Sequence, residues 1–278
     1  MSQQQEASAV PTDLYGFYRT LKPFKRRDGG DVREFAPYQV SVWNDRFEGY
    51  RIRHYIKSPG VGLSGLLLME ALNIALASKD AADTLVLVAD QFTAQKRRDE
   101  VVGMLEASPY SGCLVRNGEL TGEMGTHAMS SRTGIVLRSP NDRSDGQVRG
   151  ISFESIVSLD ASSADMGHVL VLDAMESDFP MERIAWGMSN VRATLLSSRG
   201  TMVVAMVPRA PYYGLHERMP AINDLEPGEL YRDNGEAVRR IPMSIAIDAG
   251  IIDRSDECQV EMRLLDKSIR DAKCPGAT

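Results

Sequence analysis

With 278 residues, 43% of them apolar, the chain is long enough to bury one large core, or a core with a small appendage. A formal charge of −6 excludes a global attraction to nucleic acid, so any such contact has to come from local basic patches. Cys113, Cys258 and Cys274 are odd in number and lack C-x-x-C spacing, Met1–Val10 has no apolar stretch like that of a signal peptide, and no apolar run reaches membrane-spanning length. These features speak against a disulfide framework, a zinc site and a membrane partner, and the expected location is the cytoplasm.

Residues 1–33 read as an N-terminal arm, with Lys22, Lys25, Arg26 and Arg27 clustered beside Pro23 and the Gly29-Gly30 pair. Pro37 opens a helix that runs through Val42 toward Phe47. An alternating polar and apolar run, Tyr50 to Lys57, then leads into a glycine-rich turn and a strongly apolar helix from about Ser64 to Ser78. Thr84 to Ala89 has the continuous apolar character of a buried parallel strand. Thr93 to Ala107 places Val101, Val102 and Leu105 on one side and Lys96, Arg97 and Arg98 on the other, as a surface helix does. Pro109 to Arg132 is glycine-rich and irregular.

Further strands are expected at Gly134–Arg138, Glu154–Asp160, Val169–Asp173 and Thr201–Val207, with a helix over Phe179–Ser197 between the last two. Strands alternating with helices predict a three-layer α/β fold with a mostly parallel central sheet and a ligand at the carboxyl ends of its strands. This core is assigned to residues 34–220. Beyond Pro208 the pattern loosens, and 221–278 reads as a linker with a charged helix over Ser255–Ala272.

The turn Ser58-Pro59-Gly60-Val61-Gly62-Leu63-Ser64-Gly65 is laid out as a phosphate-binding loop. Glycines let the backbone curl so that successive N–H groups face one anion, and the helix that follows adds a partial positive charge. The GxxxxGK[ST] pattern is not intact, and the lysine at hand is Lys57, at the front of the loop. A plain strand–turn–helix corner accounts for the same residues. A nucleotide site also needs an acid at the end of a buried strand to hold Mg²⁺. Asp160 and Asp173 both stand at such ends, each followed by alanine instead of glutamate. The residues themselves leave open which of the two holds the metal. Four dispersed histidines show no ligand spacing, and Ser64 misses a Gly-x-Ser-x-Gly elbow by one place.

The order of these motifs resembles the ATPase domain of the large subunit of tailed-phage terminases, viral DNA-packaging motors of the P-loop (recA/terminase-like) fold, with degenerate Walker motifs. Phe35-Ala36-Pro37-Tyr38-Gln39 looks like the adenine-contacting motif of that family, and Lys57 to Ser64 like its variant loop with a lysine in front. Met202 to Pro208 stands where the family has its coupling motif. The resemblance implies ATP and Mg²⁺ as cofactors. It assigns adenine to Gln39, phosphates to Lys57, Gly60, Val61, Gly62, Leu63, Ser64 and Gly65, catalysis to Lys57 and Asp160, and Mg²⁺ to Ser64 with Asp160 or Asp173. Within the family's pattern the Arg149-Gly150 lead-in favours Asp160, the reading preferred here, whereas the distance to Pro208 and the following Asp178-Phe179-Pro180 suit Asp173. Glu176 or Asp165 would have to stand in for the missing glutamate, and Arg132, Arg138, Arg143 and Arg149 are candidate arginine fingers. The implied partners are double-stranded DNA, a homo-oligomeric ring on a portal and a small terminase subunit, in the host cytoplasm, with no nuclease domain in this chain. The alternative is a catalytically impaired terminase-like subunit that serves assembly.

Overall fold

The computed structural model describes residues 10–21, 34–77, 83–115, 133–138, 140, 148–157, 166–173, 186–192, 195, 200–207 and 226–251. Eight strands form one sheet in the order β3-β4-β2-β5-β6-β1-β8-β7. They are β1 (Ile52–Lys57), β2 (Asp83–Val88), β3 (Ile135–Arg138), β4 (Val148–Ser155), β5 (Met166–Leu172), β6 (Thr201–Met206), β7 (Leu230–Asp233) and β8 (Glu236–Ile241). The six inner strands are all parallel, and β3 and β7 close the two edges antiparallel.

Apolar residues on both faces explain why the inner strands read as continuous hydrophobic runs. Tyr55, Val86, Val88, Leu170, Leu172, Val203 and Ala205 face one cluster, which also holds helices α1 (Leu14–Leu21), α2 (Pro37–Asn44), α3 (Leu63–Ala77) and α4 (Gln91–Glu106). Ile56, Leu85, Leu87, Val169, Val171, Met202 and Val204 face the other, covered by helical residues 186–192 through Val191 and by Leu195. The layering is therefore helix, sheet, helix, as the alternation of elements predicts. α3 is apolar around its whole circumference and lies buried between the sheet and the other helices. Among the described residues, no helix is long and apolar enough to cross a membrane.

Three elements differ from the sequence reading. Within the expected arm, α1 packs into the core, because Leu14, Phe17 and Leu21 recur at helical spacing and bury completely or nearly so. Phe17 meets Trp43 at 6.1 Å between ring centroids. The segment expected as linker carries β7, β8 and the short helix Met243–Asp248, and β8 pairs along the whole of β1. Its Glu236-Ala237-Val238-Arg239-Arg240-Ile241 hides the Glu236 and Arg239 side chains in ion pairs, with Arg192 and Asp45, so its apolar pattern is weak. Finally, β4 runs over Val148–Ser155, earlier than the strand expected at Glu154–Asp160. The basic cluster of residues 22–27 lies outside the described residues.

Two buried ion pairs fix β1 to its surroundings. Arg53 on β1 meets Glu70 on α3 through both guanidinium nitrogens, Nη1 donating to Oε2 at 3.3 Å. Burial works against the Arg53 charge, but the Glu70 carboxylate outweighs it and holds the guanidinium protonated above its ordinary range. Arg239 on β8 donates to both oxygens of Asp45, at 3.0 and 2.6 Å, and the Tyr55 hydroxyl donates to the same carboxylate at 3.1 Å. Removing one member of such a pair strands a buried charge. Glu70→Ala is therefore expected to lower stability by about 3–5 kcal/mol in denaturant unfolding.

His168 on β5 is buried, with Nδ1 2.8 Å from Thr201 Oγ1. Burial pushes its imidazole down from 6.5 to about 4. Between these values the unfolded chain binds the extra proton, so the stabilisation is complete above 6.5 and fades as pH falls toward 4. From pH 7 to pH 5 the protein is expected to lose about 2 kcal/mol through this group, a loss that His168→Asn removes when the two unfolding curves are compared.

Candidate functional site

β1 ends in Lys57, and the chain is then clamped from two sides before it curls. On one side Ser58 N–H donates to Ile241 O at 3.0 Å and Ser58 Oγ accepts from Met243 N–H at 3.1 Å, which ties the turn to the end of β8. On the other side Tyr38 Oη donates to Val61 O at 2.6 Å, and Gln39 Nε2 approaches the same carbonyl at 3.5 Å. Burial pushes the Tyr38 phenol well above its ordinary range, so it remains a donor. Gln39 Oε1 meanwhile accepts from Ala36 N–H at 3.0 Å, holding the start of α2.

Gly60 and Gly62 adopt φ of 78° and 72°, the left-handed region that favours glycine. A Cβ on Gly62 would also stand 2.9 Å from Gln39 Nε2, closer than real contacts allow. Between them the buried Val61 side chain pins the turn to the core, and Leu63 does the same for the first turn of α3. That first turn leaves its N–H groups without helical partners at the mouth of the loop.

Opposite the loop stands Asp173, directly after β5. Its N–H donates to Ala205 O at 2.9 Å, and its φ is 52°. Along β5, Leu170 and Leu172 face α3 while Val169 and Val171 face away, so regular continuation would turn Asp173 away from α3 as well. The left-handed backbone breaks that alternation and returns the carboxylate to the loop. Lys57 Nζ lies 2.6 Å from Oδ1, an ion pair whose angles fall outside hydrogen-bond geometry, and Ser64 Oγ donates to Oδ2 at 2.8 Å. Arg97 Nη2, from α4, is 4.0 Å from Oδ2.

Lys57 and Asp173 come from strands separated by β6, a gap of about 10 Å between backbones that only a long side chain spans. The chain leaves β1 toward one face of the sheet, through α3, and returns from β5 to β6 along the other, through residues 186–192. This divergence of connections at the carboxyl edge is where α/β folds place ligands. The donors suit a hard cation and a phosphate: a hydroxyl, a carboxylate, an ammonium and helix N–H groups. Among the described residues, no group of three or more His, Cys, Asp or Glu could hold a metal by itself. Mg²⁺ is usually held by one or two protein oxygens together with substrate phosphates, so this donor set still fits it.

The structure thus brings together Lys57, Gly60, Val61, Gly62, Leu63, Ser64, Gly65, Gln39 and Asp173. Asp160 lies outside the described residues, as do Asp165, Glu176, Arg132 and Arg143. Arg149 is buried and donates to Ala75 O at 3.1 Å, capping the end of α3 within its own chain, so it is not free to reach a neighbouring subunit. Two contributors were not singled out in the sequence. Tyr38 stands in the quoted motif beside Gln39 without a role, and Arg97 reads there as one of three basic residues on a solvated helix face. The i, i+3 spacing of Arg97 and Glu100 was the available signal that this arginine is held in place.

No family model matches the chain, and no curated protein does. Solved structures do. The ATPase domain of the large terminase of Thermus phage P74-26, in a mutant form, aligns over 92% of this chain and 95% of its own with a TM-score of 0.58 at 12% identity. A second structure of that domain gives 0.57 at 12% identity. The large terminase of bacteriophage HK97 gives 0.56 at 11% identity, over 91% of this chain and 50% of that one. At such identities the likeness establishes the fold.

Gly62→Ala is expected to lower stability by about 1–2 kcal/mol, the cost of a left-handed backbone for an L-residue, plus the contact with Gln39. Adding Gln39→Ala relieves the contact but not the backbone cost. A double-mutant cycle by chemical denaturation separates the two.

Proposed function

We propose that this chain is the ATP-binding motor domain of a viral DNA-packaging terminase, an ATP hydrolase that drives DNA translocation into a capsid. The observation that carries the reading is the convergence of Lys57 and Ser64 from the glycine turn on the single carboxylate of Asp173. Its support is the fold shared with large terminase ATPase domains over nearly the whole chain. In this reading the backbone from Gly60 to Gly65 and the Lys57 ammonium hold the phosphates of ATP. Ser64 and Asp173 hold Mg²⁺. Of the two strand-end aspartates, Asp173 is preferred because the loop's own lysine and serine meet it. When bound, Mg²⁺ and the triphosphate supply the phosphoryl-transfer chemistry.

The residues of the chain then have separable tasks. The Lys57 ammonium would be shared between the carboxylate and phosphate oxygens, and Ser64 and Asp173, 2.8 Å apart, would supply the oxygen ligands of Mg²⁺. Gln39, already committed to Val61 O and Ala36 N–H, keeps the loop in shape; in the family it resembles it would also touch adenine. Tyr38 holds the same carbonyl. Translocation calls for a ring of subunits on a portal, because one domain has no second grip on double-stranded DNA while it resets. A small terminase subunit and the host cytoplasm complete the setting.

A second reading is favoured by one feature: alanine follows Asp173, where a glutamate would orient the attacking water. A chain that binds ATP without turning it over would serve as an assembly subunit. Nucleotide binding by calorimetry and phosphate release, both with Mg²⁺, discriminate the two. Binding with turnover is expected, with Lys57→Ala and Asp173→Ala each weakening Mg²⁺-dependent binding by about tenfold or more and Asp160→Ala leaving it near wild type. Binding without release selects the assembly subunit. No binding at millimolar ATP overturns the nucleotide site altogether.

A further inference from the structure

We infer that Arg97, on α4 of the same chain, reads the terminal phosphate and so lets the site distinguish a nucleoside triphosphate from a diphosphate. The inference rests on the nucleotide site proposed above and adds a residue to it.

Arg97 reaches the site by construction of the fold. β2 neighbours β5 on the side opposite β6, and α4 starts directly beyond its carboxyl end. Asp90 caps that start, accepting from Thr93 N–H at 2.8 Å and from Thr93 Oγ1 at 3.0 Å, which sets the helix at the same edge as the loop. Side chains of a helix lean toward its N-terminus, and this carries the Arg97 guanidinium back to the strand ends.

Its environment is not that of a solvated surface arginine. The side chain is 21% exposed. Nη1 donates to both oxygens of Glu100, at 2.8 and 3.1 Å, and Nη2 faces Asp173 Oδ2 at 4.0 Å, beyond hydrogen-bond reach. Nε is buried and has no acceptor among the described residues. A buried donor without a partner costs free energy, which an acceptor arriving with a ligand would relieve. Phosphate oxygens match a guanidinium fork, which binds them through two parallel N–H groups.

The order of elements says which phosphate. Lys57 and the turn stand at β1, Asp173 two strands away at β5, and Arg97 one strand farther at β2. Phosphates seated on the turn and the first turn of α3 occupy the β1 end. Only the phosphate farthest from the turn extends past Asp173 to Arg97. Glu100 accepts from the same guanidinium and so competes with the phosphate for it.

The test compares affinities for Mg²⁺ with a non-hydrolysable ATP analogue and for Mg²⁺ with ADP, by calorimetry. For Arg97→Ala the triphosphate analogue is expected to bind at least about tenfold more weakly, the scale of a lost charged hydrogen bond, with ADP affinity unchanged. Arg97→Lys is expected to fall between, since an ammonium keeps the charge but loses the fork. Glu100→Ala, which leaves Arg97 in place without its competitor, is expected to raise the preference for triphosphate. An equal loss for both nucleotides, or no loss for either, overturns the role of Arg97 while leaving the site standing. If Arg97→Ala does not fold, an unchanged triphosphate preference in Glu100→Ala overturns it instead. A wild-type chain that binds neither nucleotide overturns the site and this inference together.

Discussion

The contact between the Lys57 ammonium and the Asp173 carboxylate is the interaction around which the carboxyl edge is organised. It joins the end of β1 to the end of β5 across the intervening β6, and Ser64 adds the first turn of α3 to the same carboxylate. A lysine 6% exposed is costly to keep charged without a counter-ion, so one group or the other must always face it. Asp173 fills that place. Any anion that enters the turn takes over part of that role. The same contact that neutralises the lysine therefore suits the turn to a negatively charged ligand.

The turn keeps its shape because its supports come from every side. Val61 O receives the Tyr38 hydroxyl, and Ser58 is tied to Ile241 and Met243. Below it, the Arg53–Glu70 pair binds α3 to β1, so the helix whose N-terminus faces the site cannot slide along the strand that carries Lys57. Asp45, Arg239 and Tyr55 lock β8 and the end of α2 together on the far side of β1. These ion pairs are buried, and their value lies less in net stability than in the single arrangement they enforce.

How much of this could be read from residues alone follows from where each signal resides. The layer order and the inner strands were legible, because runs such as Thr84–Ala89 and Val169–Leu172 are continuously apolar, as strands buried on both faces are. The turn was legible from its glycines and Lys57. β7 and β8 were not: they mix charged and apolar residues without strand alternation, and Arg239 and Glu236, which look solvated, are neutralised by partners far away in sequence, Asp45 and Arg192. α1 was hidden by the basic cluster that follows it. The pairing of Lys57 with Asp173 depends on which strands lie beside which, and strand order is a long-range property that no local pattern encodes. Arg97 was passed over for the same reason, since a basic helix face and an arginine beside a strand-end carboxylate look alike until the neighbouring strand is known.

Asp173 also shows how a fold can fill a functional position that its strand pattern would deny. β5 alternates faithfully up to Leu172, and one more extended residue would present its side chain to the layer of residues 186–192, away from the turn. A φ of 52° reverses that, at a cost of about 1–2 kcal/mol for an L-residue in the left-handed region. Aspartate bears this conformation better than most side chains, because its short polar group bonds locally. The strain persists because the N–H bond to Ala205 O and the contacts to Lys57 and Ser64 over-determine the position. A residue whose only task was to end the strand would relax to an ordinary turn. Backbone strain held in place by a buried cation is a mark of a carboxylate whose direction matters more than its stability.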